Sequence, residues 1–385
     1  MVQLSEVQAK WAPQYDYLWN PLVKLTNKYT SNWWFFVLLP KQKNGYGPKQ
    51  LMYTFATQRA KVMRLNGRWC KGMEAPKDQP VNKMNGIATG WYFDGREMHE
   101  DLSFLPGELV LDTPGRSLQI QGPHVDKENV IHSNSNYYAR MFQDDHQKIQ
   151  LEFSGLNGKG EFQFWMDHLS DMTKPFVLHR QVKFGGVHMA AMKYMHFKGI
   201  IETSSGNEFL EGIGYFQKVM MNIPMFPWLW HWSATEDGSI LSYFTAYAGF
   251  QAFRRSPHIW PHTLESHTRN ILSSAYYYDS QTHQEYNFNK VEIVPEVRGT
   301  KFPYFKCKAT NPGTVDFMEF RCYPYQHTNF ITERPLVNGV TNKFTYNEYL
   351  VRIKDLQLRI ADIEIDPKKF GNIYGNCEYT WGLLV

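Results

Sequence analysis

The residues whose types and spacing could do chemistry gather between Glu208 and Tyr247. Glu211, Tyr215 and Gln217 stand at i, i+4 and i+6, and Lys218 follows directly. Side chains alternate along a strand, so on a strand these three share one face. A carboxyl group beside a tyrosine in aromatic surroundings loses hydration, which raises its pKa and lets it remain protonated near neutral pH. Glu211 is thus a candidate general acid, with Tyr215 and Gln217 as hydrogen-bonding groups beside it. The bland alternative is a strand edge with Glu211 in water. Further on, Trp228, Trp230 and Trp232 fall at i, i+2 and i+4, which puts three indoles on one strand face and Leu229, His231 and Ser233 on the other. Together with Tyr243 they read as an aromatic wall. Lys218 and His231 are candidates for orienting the polar end of whatever lies against it.

A second candidate group is Phe164-Trp165-Met166-Asp167-His168. On a strand Trp165 and Asp167 share one face while His168 points the other way, so Asp167 and His168 cannot form a simple dyad. Asp167 is a candidate acid if it faces a cavity, and Trp165 a candidate substrate contact. Otherwise these residues cap a strand end. His258, His262 and His267 have spacing that could suit a metal, but Pro257 and Pro261 argue for a loop and no zinc pattern is completed, so no metal is expected. The Met- and aromatic-rich run Val187–Phe197 suits either a cavity for a large lipophile or plain core.

The elements that must position these groups are strands. Trp33–Leu39 is a nearly continuous apolar run, Leu51–Thr57 alternates, and further short runs through Asp167 are separated by Gly, Pro, Asn and Asp clusters, the pattern of an antiparallel meander. The same texture returns from Leu229 to the end, with Asp237-Gly238 as a hairpin turn between two strands. Residues 3–29 show mixed helical spacing broken by Pro13 and Pro21. The expectation is an all-β protein: a helical segment over 1–30, one β-barrel over 31–200 and a second over 201–385, with the boundary near Lys198–Ser205.

Composition narrows the function. Forty-one basic and 37 acidic residues give a net charge of +4 with no basic run, which argues against nucleic acid. The aromatic content, 16 %, is high and must line a core or a pocket. The cysteines Cys70, Cys307, Cys322 and Cys377 form no C-x-x-C pair; free buried thiols are expected, a Cys307–Cys322 bridge being the alternative. There is no signal-peptide pattern and no apolar run of roughly 18 residues that could span a bilayer, so a cytoplasmic protein without an integral membrane segment is expected. No dinucleotide, P-loop or nucleophile-elbow motif occurs.

Taken in order, the strand-rich first half, Gly212-x-Gly214-Tyr215, Pro227-Trp228-x-Trp230, the Asp-Gly turn and the terminal Gly375-Asn-Cys-Glu378-Tyr-Thr-Trp-Gly382 resemble the two-domain lipocalin-like family of carotenoid 1,2-hydratases and AttH-type proteins. Asn32-Trp33-Trp34-Phe35-Phe36 is similar to that family's aromatic first strand. The resemblance implies two calycin-type barrels and a large apolar isoprenoid or polyketide substrate, with lipocalin-like Diels–Alderases among the relatives. Hydratase-like members carry an Asp-His pair after the Gly-x-x-Tyr element, where this chain has Gln217-Lys218. That departure favours a cofactor-independent cyclisation or cycloaddition between the barrels, in which a shaped pocket and a few hydrogen bonds suffice. Acid-catalysed hydration of a polyene, a non-catalytic lipophile carrier and a carbohydrate-binding sandwich are the alternatives. The expected partner is a hydrophobic small molecule.

Overall fold

The computed structural model describes residues 16–19, 29–72, 81–144, 148–166, 176–182, 185–222, 227–249, 268–296, 301–335 and 341–384. Of these, 73 % lie in strands, paired antiparallel as the meander pattern requires. The chain divides into two compact units. The first holds residues 1–40, 49–224 and 334–336, the second residues 41–48, 225–333 and 337–385.

In the first unit the chain runs as β1 (Ser31–Gln42), β2 (Gln50–Gln58), β3 (Val81–Phe93), β4 (Phe104–Asp112), β5 (Ser117–Gln121), β6 (Tyr138–Gln143), β7 (Ile149–Ser154) and β8 (Lys159–Trp165). It continues with β9 (Phe176–Val182), β10 (Gly185–Thr203) and β11 (Gly206–Met221). Strands β1 to β8 pair in chain order, β11 pairs β1, β10 pairs β11, and β10 also pairs β8. That last ladder closes a ten-stranded antiparallel barrel, with β9 added alongside β10. The Thr203–Gly206 turn joins β10 to β11, and both strands belong to the first unit.

Closure makes alternation decisive, because one face of every strand now points inward. On β1 the inward residues are Trp34, Phe36 and Leu38, all fully buried. Phe36 stacks on Phe216 of β11 at 4.3 Å and on Phe164 of β8 at 5.1 Å, while Tyr53 stacks on Phe153 at 4.4 Å. Such pairs add about 0.5–1.5 kcal/mol each beyond area burial. The Tyr53 hydroxyl is satisfied by Ser103 at 2.6 Å. Of the N-terminal helical turns, the described part is one turn at 16–19. Its Leu18 and Trp19 are fully buried in the same core.

The second unit contains β12 (Trp228–Ala234), β13 (Ile240–Gly249), β14 (Thr268–Asp279), β15 (Gln284–Phe288) and β16 (Lys290–Glu296). It ends with β17 (Tyr304–Thr310), β18 (Phe317–Pro335), β19 (Thr341–Ile360) and β20 (Tyr374–Leu384). Their hydrogen-bonded order is β15-β14-β13-β12-β20-β19-β18-β17-β16. The two ends of that order are joined through Asn289 alone, so the sheet curls around one core fed by every strand. Asp237-Gly238 makes the expected turn between β12 and β13, with Gly238 at φ +85°, a conformation open to glycine without a Cβ clash. All four cysteines are free and buried; Cys307, Cys322 and Cys377 sit in this second core.

One polar contact inside the first unit is a test of its packing. Arg68, 1 % exposed, makes a two-pronged ion pair with Asp101 at 2.9 and 3.0 Å and lies over the Phe104 ring. Asp101→Ala strands that guanidinium without its counter-charge, and a loss of about 3–5 kcal/mol in urea unfolding is expected.

Candidate active site

The sequence candidates separate into the two units. Glu211, Tyr215, Gln217 and Lys218 lie on β11 of the first barrel, and Trp228, Trp230, Trp232, His231 and Tyr243 lie in the second unit. On β11 the inward residues are Leu210, Phe216, Lys218 and Met220, so Glu211, Tyr215 and Gln217 share the outward face, as the alternation predicts. Glu211 is exposed to solvent there, so the apolar surroundings that its role as an acid requires are missing. Tyr215 donates its hydroxyl proton to Gln217 Oε1 at 2.9 Å. Lys218 points into the barrel. Trp165 is on the outer face of β8, half-buried and stacked on His196 at 6.0 Å. Asp167, His168 and the histidines at 258, 262 and 267 lie outside the described residues. Among the described residues no cluster of His, Cys, Asp and Glu is placed to hold a metal ion.

In the second unit, Leu229 and Tyr243 belong to the core, and His231 stacks on Tyr243 at 4.8 Å. Burial pushes the His231 imidazole down to about 3, so it is neutral. His231 and Tyr243 therefore face the core, and the three tryptophans face the other way.

The tryptophan face carries a group that the residue reading passed over. Register across β12, β20 and β19 sets three rows of side chains on that face: Trp228, Thr380 and Tyr346; Trp230, Glu378 and Glu348; Trp232, Asn376 and Leu350. Two carboxyl groups are thus direct cross-strand neighbours, next to Trp230. Glu348 is 1 % and Glu378 5 % exposed. The Trp228 indole N–H donates to Glu378 Oε2 at 2.6 Å. Phe344 and Tyr346 pack on the Trp228 ring, each with centroids 5.4 Å away.

Burial is the main cause raising both acids. Glu348 is pushed well above the usual carboxyl range by loss of hydration and then by the adjacent Glu378 charge. Glu378 is raised to about 7 by burial, against which the Trp228 N–H and a hydrogen bond from Glu348 favour its charged form. The consistent state near neutrality is a protonated Glu348 donating to a Glu378 carboxylate, one proton shared by two acids. Asn376, fully buried beside them, is the one other group that favours a charged Glu348, and neither of its amide atoms reaches hydrogen-bonding geometry among the described residues.

Sequence held a partial signal for this pair. Asn376, Glu378 and Thr380 alternate with Cys377 and Tyr379, which marks a polar strand face. Nothing local says that residue 348 lies opposite residue 378.

No protein-family model matches the sequence, and no curated protein matches it. Solved structures do. CghA, crystallised with Sch210972, aligns over 95 % of this chain and 92 % of its own with 10 % identity and a TM-score of 0.52. An AttH-type protein from Nitrosomonas europaea aligns over 92 % and 94 % with 11 % identity and a TM-score of 0.47. Kievitone hydratase from Nectria haematococca aligns over 92 % and 90 % with 10 % identity and a TM-score of 0.44. The CghA similarity shows a shared fold, and that fold is the expected all-β one of two barrels. At 10 % identity it shows the fold alone, and the chemistry has to come from the residues. No helix among the described residues is long and apolar enough to cross a membrane.

The acid pair makes a prediction about stability. A carboxyl whose pKa is raised on folding binds more protons in the folded than in the unfolded chain between the two values. Stability contributed at acid pH is therefore lost as pH rises from about 4.5, the unfolded value, to about 7, the folded value of Glu378. Urea unfolding across that window should show the fall, and Glu378→Gln, which can still accept the Trp228 bond, should make it shallower, the remainder being due to Glu348.

Proposed function

We propose that this protein is a cofactor-independent enzyme acting on a large, mostly apolar, unsaturated substrate, which it cyclises with the Glu348–Glu378 pair as proton donor and acceptor. The observation that carries this reading is a pair of buried, cross-strand carboxyl groups beside a row of indoles. Fold similarity alone is compatible with many activities, and the acid pair supports the acid-catalysed one.

Protonating an alkene carbon requires an acid held close and desolvated, because water would otherwise level it. The pair supplies one proton and becomes a carboxylate pair that accepts one back. The carbocation so formed is stabilised by the electron-rich faces of Trp228 and Trp230. Attack by a second double bond of the same substrate closes a ring, and loss of a proton to the pair restores the enzyme. If water is the nucleophile instead, its surplus proton returns to the pair and the net reaction is hydration. That second reading draws on the same acid and stays within the proposal's chemistry. A cycloaddition driven only by substrate folding needs the aromatic wall and a hydrogen-bond donor but no protonated carboxyl.

Turnover decides between them. With purified protein and a panel of linear polyenes and polyene ketides, Glu378→Gln and Glu348→Gln should each lower kcat by about 10²–10⁴-fold. Trp228→Phe keeps the ring but removes the N–H that favours charged Glu378, so the rate should survive with its pH limb moved upward. Undiminished turnover in both Gln variants points to a purely conformational cyclase, and tight binding without any turnover points to a carrier.

A further inference from the structure

The first barrel contains a polar interior patch that the proposed chemistry does not use. Two rows of inward side chains lie across β1, β11 and β10 at the end of the barrel where β1 begins. The first is Asn32, Met220 and His188, and the next is Trp34, Lys218 and Ala190. Asn32, His188 and Lys218 are all at least 98 % buried. The Asn32 carbonyl oxygen makes no hydrogen bond of normal geometry among the described residues, and His188 has only a loose contact with the Tyr17 backbone, outside that geometry. Buried polar groups are ordinarily paired, and each one left over calls for a partner.

The same end of the barrel is filled by the turn at 16–19. Lys218 Nζ donates to the Tyr17 carbonyl at 3.3 Å, and the Trp34 indole donates to the Leu18 carbonyl at 3.2 Å. Thr113 donates to the Trp19 carbonyl at 3.0 Å, and the Trp19 indole donates to Gln143 at 3.2 Å. The Tyr17 ring lies 5.5 Å from that of His188. Apolar side chains of the turn, Leu18 and Trp19, extend into the aromatic core below. The turn thus presents a row of carbonyl oxygens to interior donors and an apolar body to the aromatic core.

That is the shape of an amphipathic ligand. We infer that the first barrel binds an apolar carboxylate, its head on Lys218 with His188 beside it, in the place where the turn at 16–19 now stands as an internal surrogate. The Tyr17 carbonyl marks the position of one carboxylate oxygen, and a ligand chain would take the volume of the Trp19 indole. An anion suits the patch better than a neutral head, because the inward donors here include a lysine. Burial holds Lys218 down to about 7 and, with the neighbouring Lys218 charge, His188 down to about 4. A bound carboxylate relieves that penalty by favouring the ammonium form.

This inference does not depend on the acid pair, which is in the other unit. The probe is parinaric acid, a fluorescent polyene carboxylate, with its methyl ester as the uncharged control, and the full chain is used throughout. Trp19→Ala should bind parinarate about tenfold or more tightly than the unsubstituted chain. Adding Lys218→Met should return most of that gain while leaving the ester unaffected, as loss of one charge-assisted hydrogen bond implies. Glu378→Gln should change neither. If Trp19→Ala does not fold, Gln143→Ala, which frees the indole without a large void, takes its place. A folded variant that fails to bind parinarate, or that binds it equally well with Lys218→Met, overturns the inference.

Discussion

Two carboxyl groups side by side on adjacent strands, out of reach of water, resist being ionised together, and a second charge on them is costly unless a cation lies against it. The Glu348–Glu378 pair is under that constraint, and the arrangement around it follows. One acid keeps its proton and donates to the other. The Trp228 N–H supports the remaining charge at 2.6 Å, so Glu378 is raised only to about 7 while burial and the neighbouring charge hold Glu348 well above the usual carboxyl range. An acid so tuned is costly to the fold, because burying either group is unfavourable. A plain structural face would be expected to carry apolar residues in that row.

The second unit separates this chemistry from its own packing by strand parity. Odd residues of β12 and β20 enter the core with Tyr243, Cys322 and Cys377, where the Tyr243 hydroxyl sits 3.2 Å from the Cys377 sulfur. Even residues build the face of indoles and acids. His231, adjacent in sequence to two of the wall tryptophans, is consequently as far from their face as a strand allows. The first barrel uses parity differently. Its closed ladder turns Lys218 inward and Glu211 outward, so the residue whose spacing suggested an acid lies on the solvent side.

The departure noted at Gln217-Lys218 acquires a physical meaning from this. Where an acid pair was expected after the Gly-x-Gly-Tyr element, the chain has an outward amide and an inward amine. The proposed acid pair lies instead on β19 and β20, near the C-terminus, on the tryptophan face. The loss of an acid at one place therefore does not mean the loss of acid chemistry from the protein.

Sequence by itself determined the period-two pattern, the turns, the all-β class and the single face shared by Trp228, Trp230 and Trp232, because these depend on neighbours within a few residues. The free thiols and the Asp237-Gly238 hairpin were legible for the same reason. Tertiary structure alone decided which of the two faces of each strand is desolvated, since that depends on how the sheet closes. It also decided that Glu348 meets Glu378 and that Lys218 meets Tyr17. Register between strands far apart in the chain is set by the packing of a whole core, and no local spacing encodes it.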